Sequence, residues 1–478
     1  MKSAKTKFII TTLVVIDFIV CLAVWQILRS VVFPNDSTLG QLRHIALLYA
    51  TFLFFFVMYD MYSSKQDKVF ASAVATALSV LASCIVSVFI SHILRWETGT
   101  FTVWIAETAV LELFVVLWRT VASLFIKRFG EKRSVLIIEN ANNTSRLARK
   151  LKYASNYGRE SYYYMIDESN PQEIRCVLEQ KIKEYDLIFI SPFISPENSA
   201  LIMREAFVQN KSISVLADMD TISTMNGKIY QLDDTPVLEK RGIVLTKMQR
   251  FIKRSLDIVI SFLLLVITSP AFLICAIAIK LDSPGPVIYK QARYTINKRV
   301  FSVYKFRTMV QDAEKAGAQL AGENDPRITK AGKLLRATRL DELPQLINIL
   351  WGDMSIVGPR PERPIFADEY SKKVVSYDLR YCVKAGLTGY AQVYGKYNTR
   401  VSDKILMDMI YIFNYSILLD IKLILLTVKT MFIKSATEGV DEDRDTVLSS
   451  PEREKERRDK TLRQLGEENE NFDYYTRL

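Results

Sequence analysis

The chain has 478 residues, of which 49% are hydrophobic and 24% charged, with a formal net charge of +11. Apolar segments spliced to charged ones give that mixture, which argues against a single water-soluble globule and allows two or three domains. The positive balance suits anionic partners (nucleic acid, lipid headgroups or phosphorylated substrates) without choosing among them.

Four apolar stretches, 8–28, 44–62, 70–94 and 103–126, are each about the 20 residues that a bilayer core requires. The first contains Asp17 and the last Glu107, Glu112 and Arg119, all expected to face neighbouring helices because charge facing lipid is costly, with a functional intramembrane carboxylate as the alternative for Asp17. Lys2, Lys5 and Lys7 precede the first stretch, Lys65 and Lys68 follow the second, and Lys127, Arg128, Lys132 and Arg133 follow the fourth. The other two loops carry only Arg29, Arg43 and Arg95. The positive-inside rule then predicts a four-helix transmembrane domain over 1–130 with both ends cytoplasmic, and no cleaved signal peptide.

Residues 131–248 change texture. Val135–Ile138, Tyr162–Ile166, Leu187–Ile190 and Ile213–Leu216 read as short strands, with helical patterns between them that include 144–154. This alternation predicts a Rossmann-like α/β domain with a parallel sheet. Its first strand-to-helix turn, Glu139-Asn140-Ala141-Asn142-Asn143-Thr144, lacks glycine, so a pyrophosphate could not approach the backbone closely. A structural or regulatory role is expected there; a nucleotide-sensing role is the rival.

Residues 256–279 are again apolar, with Lys253 and Arg254 before them and Lys280 after. Ser269-Pro270 sits in the middle, where proline removes a backbone donor and forces a bend or break. A helix over 253–280 that re-enters the same face at Ser269-Pro270 keeps both basic flanks cytoplasmic. An ordinary kinked span is the alternative.

Residues 283–340 carry six lysines and six arginines against four acids. Alternation would put Lys305 and Arg307 on one face of a strand. Arg336 and Arg339 precede the adjacent carboxylates Asp341 and Glu342, after which Pro344 and the apolar spacing open a helix. Asp341 alone reads as a helix cap; a helix N-terminus also favours phosphate and an ionised carboxylate. Arg360, fixed between prolines in Gly358-Pro359-Arg360-Pro361, suits a phosphate clamp. The only histidines are His44 and His92, so acid–base or nucleophilic work beyond them falls to carboxylates. Five scattered cysteines without a CxxC pair indicate neither zinc nor disulfides.

Several ordered motifs now carry a resemblance. Lys253-Arg254-Ser255-Leu256-Asp257, Ser269-Pro270, Lys305-Phe306-Arg307-Thr308-Met309, Asp325-Pro326-Arg327, Leu340-Asp341-Glu342-Leu343-Pro344-Gln345 and Gly352-Asp353-Met354-Ser355 through Gly358-Pro359-Arg360-Pro361 occur in sequence. The stretch 249–435 resembles the mainly helical catalytic domain of bacterial sugar transferases, the monotopic phosphoglycosyl transferases. The segments before it resemble the large subfamily that primes exopolysaccharide, capsule or O-antigen (lipopolysaccharide) assembly. The resemblance implies that Asp341 attacks a UDP-sugar and that polyprenyl (undecaprenyl) phosphate then takes the sugar phosphate. It also implies Glu342 as base or Mg²⁺ ligand, with Asp341 as a second possible ligand. Arg360, Lys305, Arg307 and Arg336 are implied to serve the substrate phosphates, Arg336 also to hold the carboxylates in place, and Ser269 and Pro270 to be structural. The implied setting is a homodimer among inner-membrane lipids, with its active site on the cytoplasmic face and no nucleic-acid partner. The family usually has glycines near Thr295 and Lys298, so that turn is expected to be shaped differently, and a proline at Ala385, where the nucleotide-side fit is expected to differ. Residues 416–434 predict an interfacial amphipathic helix, with a fifth crossing as the alternative, and 436–478 a charged tail, disordered or weakly helical. The rivals are a non-enzymatic membrane scaffold and a polytopic sugar-phosphate transferase.

Overall fold

The computed structural model describes residues 11–24, 26, 38–62, 69–96, 101–129, 134–140, 161–166, 168, 171–225, 227–240, 242–243, 245–311, 313, 325–395 and 399–432. The predicted helix over 144–154 and the tail from 436 lie outside the described residues. The chain is a mixed helix and strand protein whose two compact units divide between Leu216 and Ala217.

The first unit begins with helices α1 (Thr11–Val24), α2 (Thr38–Met58), α3 (Val69–Ile93) and α4 (Phe101–Phe129). Of these, α3 is long and apolar enough to cross a membrane, whereas α1 and the apolar part of α2, Ile45–Met58, are shorter. Asp17 is buried, as expected of a helix–helix contact, and pairs with Arg119. It also accepts from Tyr62 Oη at 2.9 Å and Trp118 Nε1 at 3.0 Å, and the Arg119 guanidinium lies over the Phe56 ring. On α3, Thr76, Ser79 and Ser83 donate to the carbonyls one turn back, which lets a polar stripe bury with its hydroxyl donors satisfied.

Strands β1 (Val135–Asn140) and β2 (Ser161–Ile166), helix α5 (Pro171–Cys176), β3 (Leu187–Ile190), α6 (Pro196–Val208) and β4 (Ser212–Val215) follow. The four strands form an all-parallel sheet in the order β2-β1-β3-β4, at the positions the periodicity predicts. Leu136, Ile138, Ile188 and Ile190 fill one face with Val177, Ile182 and Ile202. Continuous apolar runs suit strands covered on both sides.

The second unit opens with α7 (Met219–Thr224), whose Ile222 packs into that unit's core, and the antiparallel hairpin β5 (Lys228–Leu232) and β6 (Thr235–Glu239). Helix α8 runs unbroken from Lys247 to Asp282, with Pro270 inside it. Thr246 and Gln249 form a reciprocal capping box at its start. Proline 270 leaves the carbonyl of Val266 without its helical donor, and Ser269 Oγ donates to that carbonyl at 2.8 Å. The serine thus lets the proline sit inside an apolar helix at little cost. Among the described residues, helix α8 is, with α3, long and apolar enough to cross a membrane.

Beyond it come the hairpin β7 (Ile288–Tyr294) and β8 (Val300–Phe306), α9 (Lys330–Ala337), α10 (Gln345–Trp351), β9 (Ser355–Val357), α11 (Pro364–Lys373), β10 (Gly386–Thr388), α12 (Tyr390–Tyr394), α13 (Val401–Phe413) and α14 (Ile417–Met431). Phe301, Val303, Leu346, Ile349, Met354, Ile356, Tyr377, Met409 and Leu423 form the core beneath them. The membrane-type helix is tied into this core. Asp257 accepts from Ser355 Oγ at 3.0 Å and Ile356 N at 2.9 Å, and Lys253 pairs with Asp420 of α14 at 2.7 Å.

Two departures from the resembled family turn out to touch. Thr295 Oγ1 donates to Asp353 O at 2.8 Å and accepts from the buried Ala385 N at 3.3 Å. The hydroxyl supplies the acceptor that an alanine N–H requires and a proline does not. At the other departure the glycine-like backbone persists: Asn297 and Lys298 both have φ of 55°. Thr295→Ala is expected to destabilise the fold by about 1–3 kcal/mol, because Ala385 N is left buried and unpaired. Adding Ala385→Pro should recover part of that loss. Urea melts of the single and double variants test the coupling, and strict additivity would refute it.

Candidate active site

The two carboxylates stand on a 3₁₀ turn, Leu340–Glu342, between α9 and α10. Arg339 enters that turn in a left-handed conformation with φ of 59°, which is uncommon for a side chain larger than asparagine and reverses the chain after α9. The expected single helix from Asp341 is thus a tight turn followed by α10, with Pro344 at the junction.

Glu342 is the charge hub. One oxygen, Oε1, takes Lys305 Nζ at 3.0 Å and Arg360 Nη2 at 2.8 Å. Burial pushes the Glu342 carboxyl up, but Arg360 and Lys305 outweigh burial and hold it well below the usual carboxylate range. Asp341 differs. It has no hydrogen bond or ion pair among the described residues. Burial, and then the charge of Glu342, push its carboxyl above the ordinary value, against Lys305, Arg336 and Arg360. Two neighbouring carboxylates are therefore driven apart, one committed to cations and the other uncommitted beside them. Burial also lowers Lys305 below the ordinary lysine range, with Glu342 opposing.

Arg360 is held by its backbone. Each carbonyl from 359 to 362 accepts a donor: Gly386 N on Pro359 at 2.8 Å, Arg380 Nη2 on Arg360 at 3.0 Å, Arg293 Nη1 on Pro361 at 3.0 Å and Tyr294 N on Glu362 at 3.1 Å. Gly358 and Gly386 lie so close that a Cβ on Gly386 would stand 2.1 Å from Gly358 N. Arg380 is itself buried, paired with Asp408 at 2.9 Å and donating to Tyr377 Oη at 2.9 Å. Burial raises Asp408 to about 6, with Arg380 opposing.

The structure brings Asp341, Glu342, Lys305 and Arg360 together. Arg336 donates to Thr308 Oγ1 at 2.9 Å, and its charge reaches Asp341. Arg307 stands apart. Strand β8 ends at Phe306, so strand alternation no longer governs Arg307, whose guanidinium donates to Ser283 O at 2.7 Å and Pro284 O at 2.8 Å beyond α8. Ser269 and Pro270 lie midway along α8. Asp325 and Arg327 close on each other at 2.6 Å, and hydrogen bonds from Arg327 hold Asp325 at about 2. Arg293 and Arg380 are absent from any motif reading, because nothing local to them marks a long-range partner.

A divalent cation fits part of this arrangement. Asp341 and Glu342 Oε2 keep uncommitted oxygens, while the described residues hold no cluster of three or more acidic, histidine or cysteine ligands. A hard ion there would complete its shell with phosphate oxygens and water.

The profile of the family described as "Bacterial sugar transferase" matches residues 248–434. The chain is 39% identical over 231 residues to the UDP-glucose:undecaprenyl-phosphate glucose-1-phosphate transferase of Escherichia coli, covering 47% of this chain and 50% of that protein. It is 39% identical over 211 residues to the UDP-N-acetylgalactosamine-undecaprenyl-phosphate N-acetylgalactosaminephosphotransferase of Aeromonas hydrophila, covering 44% and 50%. A Caulobacter vibrioides protein, also named UDP-glucose:undecaprenyl-phosphate glucose-1-phosphate transferase, is 41% identical over 184 residues, covering 37% of this chain and 69% of its own length. The chain thus spans about half the length of the first two relatives.

Proposed function

The chain belongs to the bacterial sugar transferase family, and we propose that it transfers a hexose-1-phosphate from a UDP-sugar to undecaprenyl phosphate, releasing UMP. The observation that carries this reading is the uncommitted Asp341 carboxylate, set beside Lys305, Arg336 and Arg360. An Asp341 oxygen attacks the phosphorus next to the sugar, and the bond from that phosphorus to the UMP oxygen breaks. A phosphosugar–aspartyl intermediate, an acyl phosphate, remains, and UMP leaves with the bridging oxygen. An oxygen of the polyprenyl phosphate attacks the same phosphorus and frees the carboxylate. Splitting the transfer lets two bulky substrates use the site in turn. Arg360 and Lys305 neutralise Glu342 in the resting site and are placed to share their charge with incoming phosphates. Mg²⁺, held by Asp341 or Glu342, would offset the pyrophosphate charge.

The setting is part of the proposal: four transmembrane helices, a Rossmann-like α/β domain and a catalytic domain anchored through α8, as a homodimer in the inner membrane with the site on the cytoplasmic face. What supports re-entry of α8 is that both its ends dock on one unit. Asp257 is bound by β9 near one end, whereas Cys275 and Ile279 pack on Phe306 and Leu335, and Asp282 accepts from Ala331 N at 2.8 Å. The turns between expose Phe262, Ile267, Leu273 and Ile274. Amphipathic α14 lies at the interface in this reading, with Leu418 and Met431 exposed and Asp420 turned inward to Lys253. Transfer to undecaprenyl phosphate would be the first membrane step of exopolysaccharide, capsule or O-antigen assembly.

Purified full-length protein in detergent, supplied with Mg²⁺ and a panel of UDP-sugars, tests the activity. Without polyprenyl phosphate, UMP should appear at no more than about one equivalent per active site, and with it continuously. Continuous release without the lipid would make the protein a hydrolase, and no release from any UDP-sugar would overturn the donor class. The panel also identifies the sugar, since the relatives are named for glucose and for N-acetylgalactosamine.

A further inference from the structure

A second group of cations lies at the opposite end of α10 from the dyad. Gly352 ends that helix in a left-handed conformation with φ of +91°. A Cβ there would stand 3.3 Å from Arg254 Nη2 and 3.5 Å from Lys384 Nζ, so both cations face the bare side of Gly352, where any other residue would carry its side chain. Neither meets a carboxylate among the described residues. Arg254 donates to Ile349 O at 2.6 Å and Leu350 O at 2.7 Å, and Lys384 has no hydrogen bond or ion pair among the described residues. The acids whose charge reaches Lys384 are engaged elsewhere: Asp257 with Ser355 and Ile356, and Asp353 with Arg299 at 2.7 Å. Burial, and then Arg254, push the Lys384 ammonium below the ordinary lysine range. A half-buried, unneutralised pair of cations is costly unless an anion completes it.

The surroundings indicate which anion. Trp351, adjacent to Gly352, is 67% exposed, and on the helix of Arg254 the apolar side chains of Met248, Phe251, Ile258, Val259 and Phe262 are exposed on both sides of it. A tryptophan and paired cations at the border of an apolar surface are the pattern of a headgroup layer. We propose that Arg254, Lys384 and the open side of Gly352 bind the phosphodiester of an anionic membrane phospholipid, with Trp351 seated among the headgroups. This rests on the membrane seating of α8 proposed above.

The test uses full-length protein in neutral detergent, with dihexanoyl-phosphatidylglycerol, dihexanoyl-phosphatidylcholine and inorganic phosphate as probes, read by thermal shift. Short-chain lipids report on the site without a bilayer. Seating of α8 is read separately by labelling Phe262→Cys with a water-soluble maleimide in native vesicles, so the two failures are distinguishable. Phosphatidylglycerol should give a saturable shift, with an apparent Kd raised about tenfold or more in Lys384→Gln and restored in Lys384→Arg. UMP release by the Lys384→Gln protein confirms that it is folded. Equal shifts with phosphatidylcholine, or an affinity unaltered in Lys384→Gln, would overturn the site. Equal binding of inorganic phosphate would overturn its assignment to a lipid.

Discussion

Asp341→Asn is expected to lower UMP release by about 10⁴-fold or more, the usual scale for loss of a covalent nucleophile. Asparagine keeps the size of the side chain and removes the anionic oxygen that forms the acyl phosphate. Wild-type protein given UDP-sugar without acceptor should gain the mass of one sugar phosphate, and the variant should gain none. Stability is the control. Asp341 has no hydrogen bond or ion pair among the described residues, and burial disfavours its charge, so the melting temperature of Asp341→Asn should equal or exceed that of the wild type. A variant that melts normally and still forms the adduct would remove Asp341 from the mechanism. Normal melting, no adduct and no release would leave the covalent route standing.

Removing Arg360 is expected to have the next largest effect, roughly 10²–10³-fold in kcat/KM for Arg360→Gln, the range for loss of one placed charge donor. Its pH dependence separates electrostatics from misfolding. The attacking form of Asp341 is the carboxylate, so kcat/KM falls as pH drops through its raised pKa, and the wild-type acid limb should lie above the ordinary carboxylate value. Arg360 lowers the Asp341 pKa. Arg360→Gln should therefore move the limb to higher pH. Glu342→Gln removes a like charge and frees two cations, so it should move the limb of any residual activity to lower pH. Opposite shifts from the two variants are the signature; shifts of the same sign would mean that another group sets the limb. The stability loss for Arg360→Gln should be only about 1–2 kcal/mol, because Lys305 still meets Glu342 and the Arg360 side chain is 40% exposed.

Those predictions use both what the sequence alone determined and what tertiary packing decided. Strands β1 to β4 were legible because a buried parallel sheet requires short apolar runs, and α8 was legible as a long apolar segment. The Asp341-Glu342 pair and the proline-braced Arg360 were legible because each depends on near neighbours in the chain. The division of labour between the carboxylates was not: it depends on Lys305 and Arg360 converging on one oxygen of Glu342 from 37 and 18 residues away. Arg307 matched the same motif as Lys305, yet the end of β8 sends it to the carbonyls after α8. The support of Arg360 by Arg293 and Arg380, the left-handed Arg339 and the contact between Thr295 and Ala385 likewise have no local signature. Periodicity, proline and capping act within a turn or two of the chain, so they can be read from its order. Which charge meets which carbonyl or carboxylate is fixed only when distant segments pack and every buried polar group must find a partner.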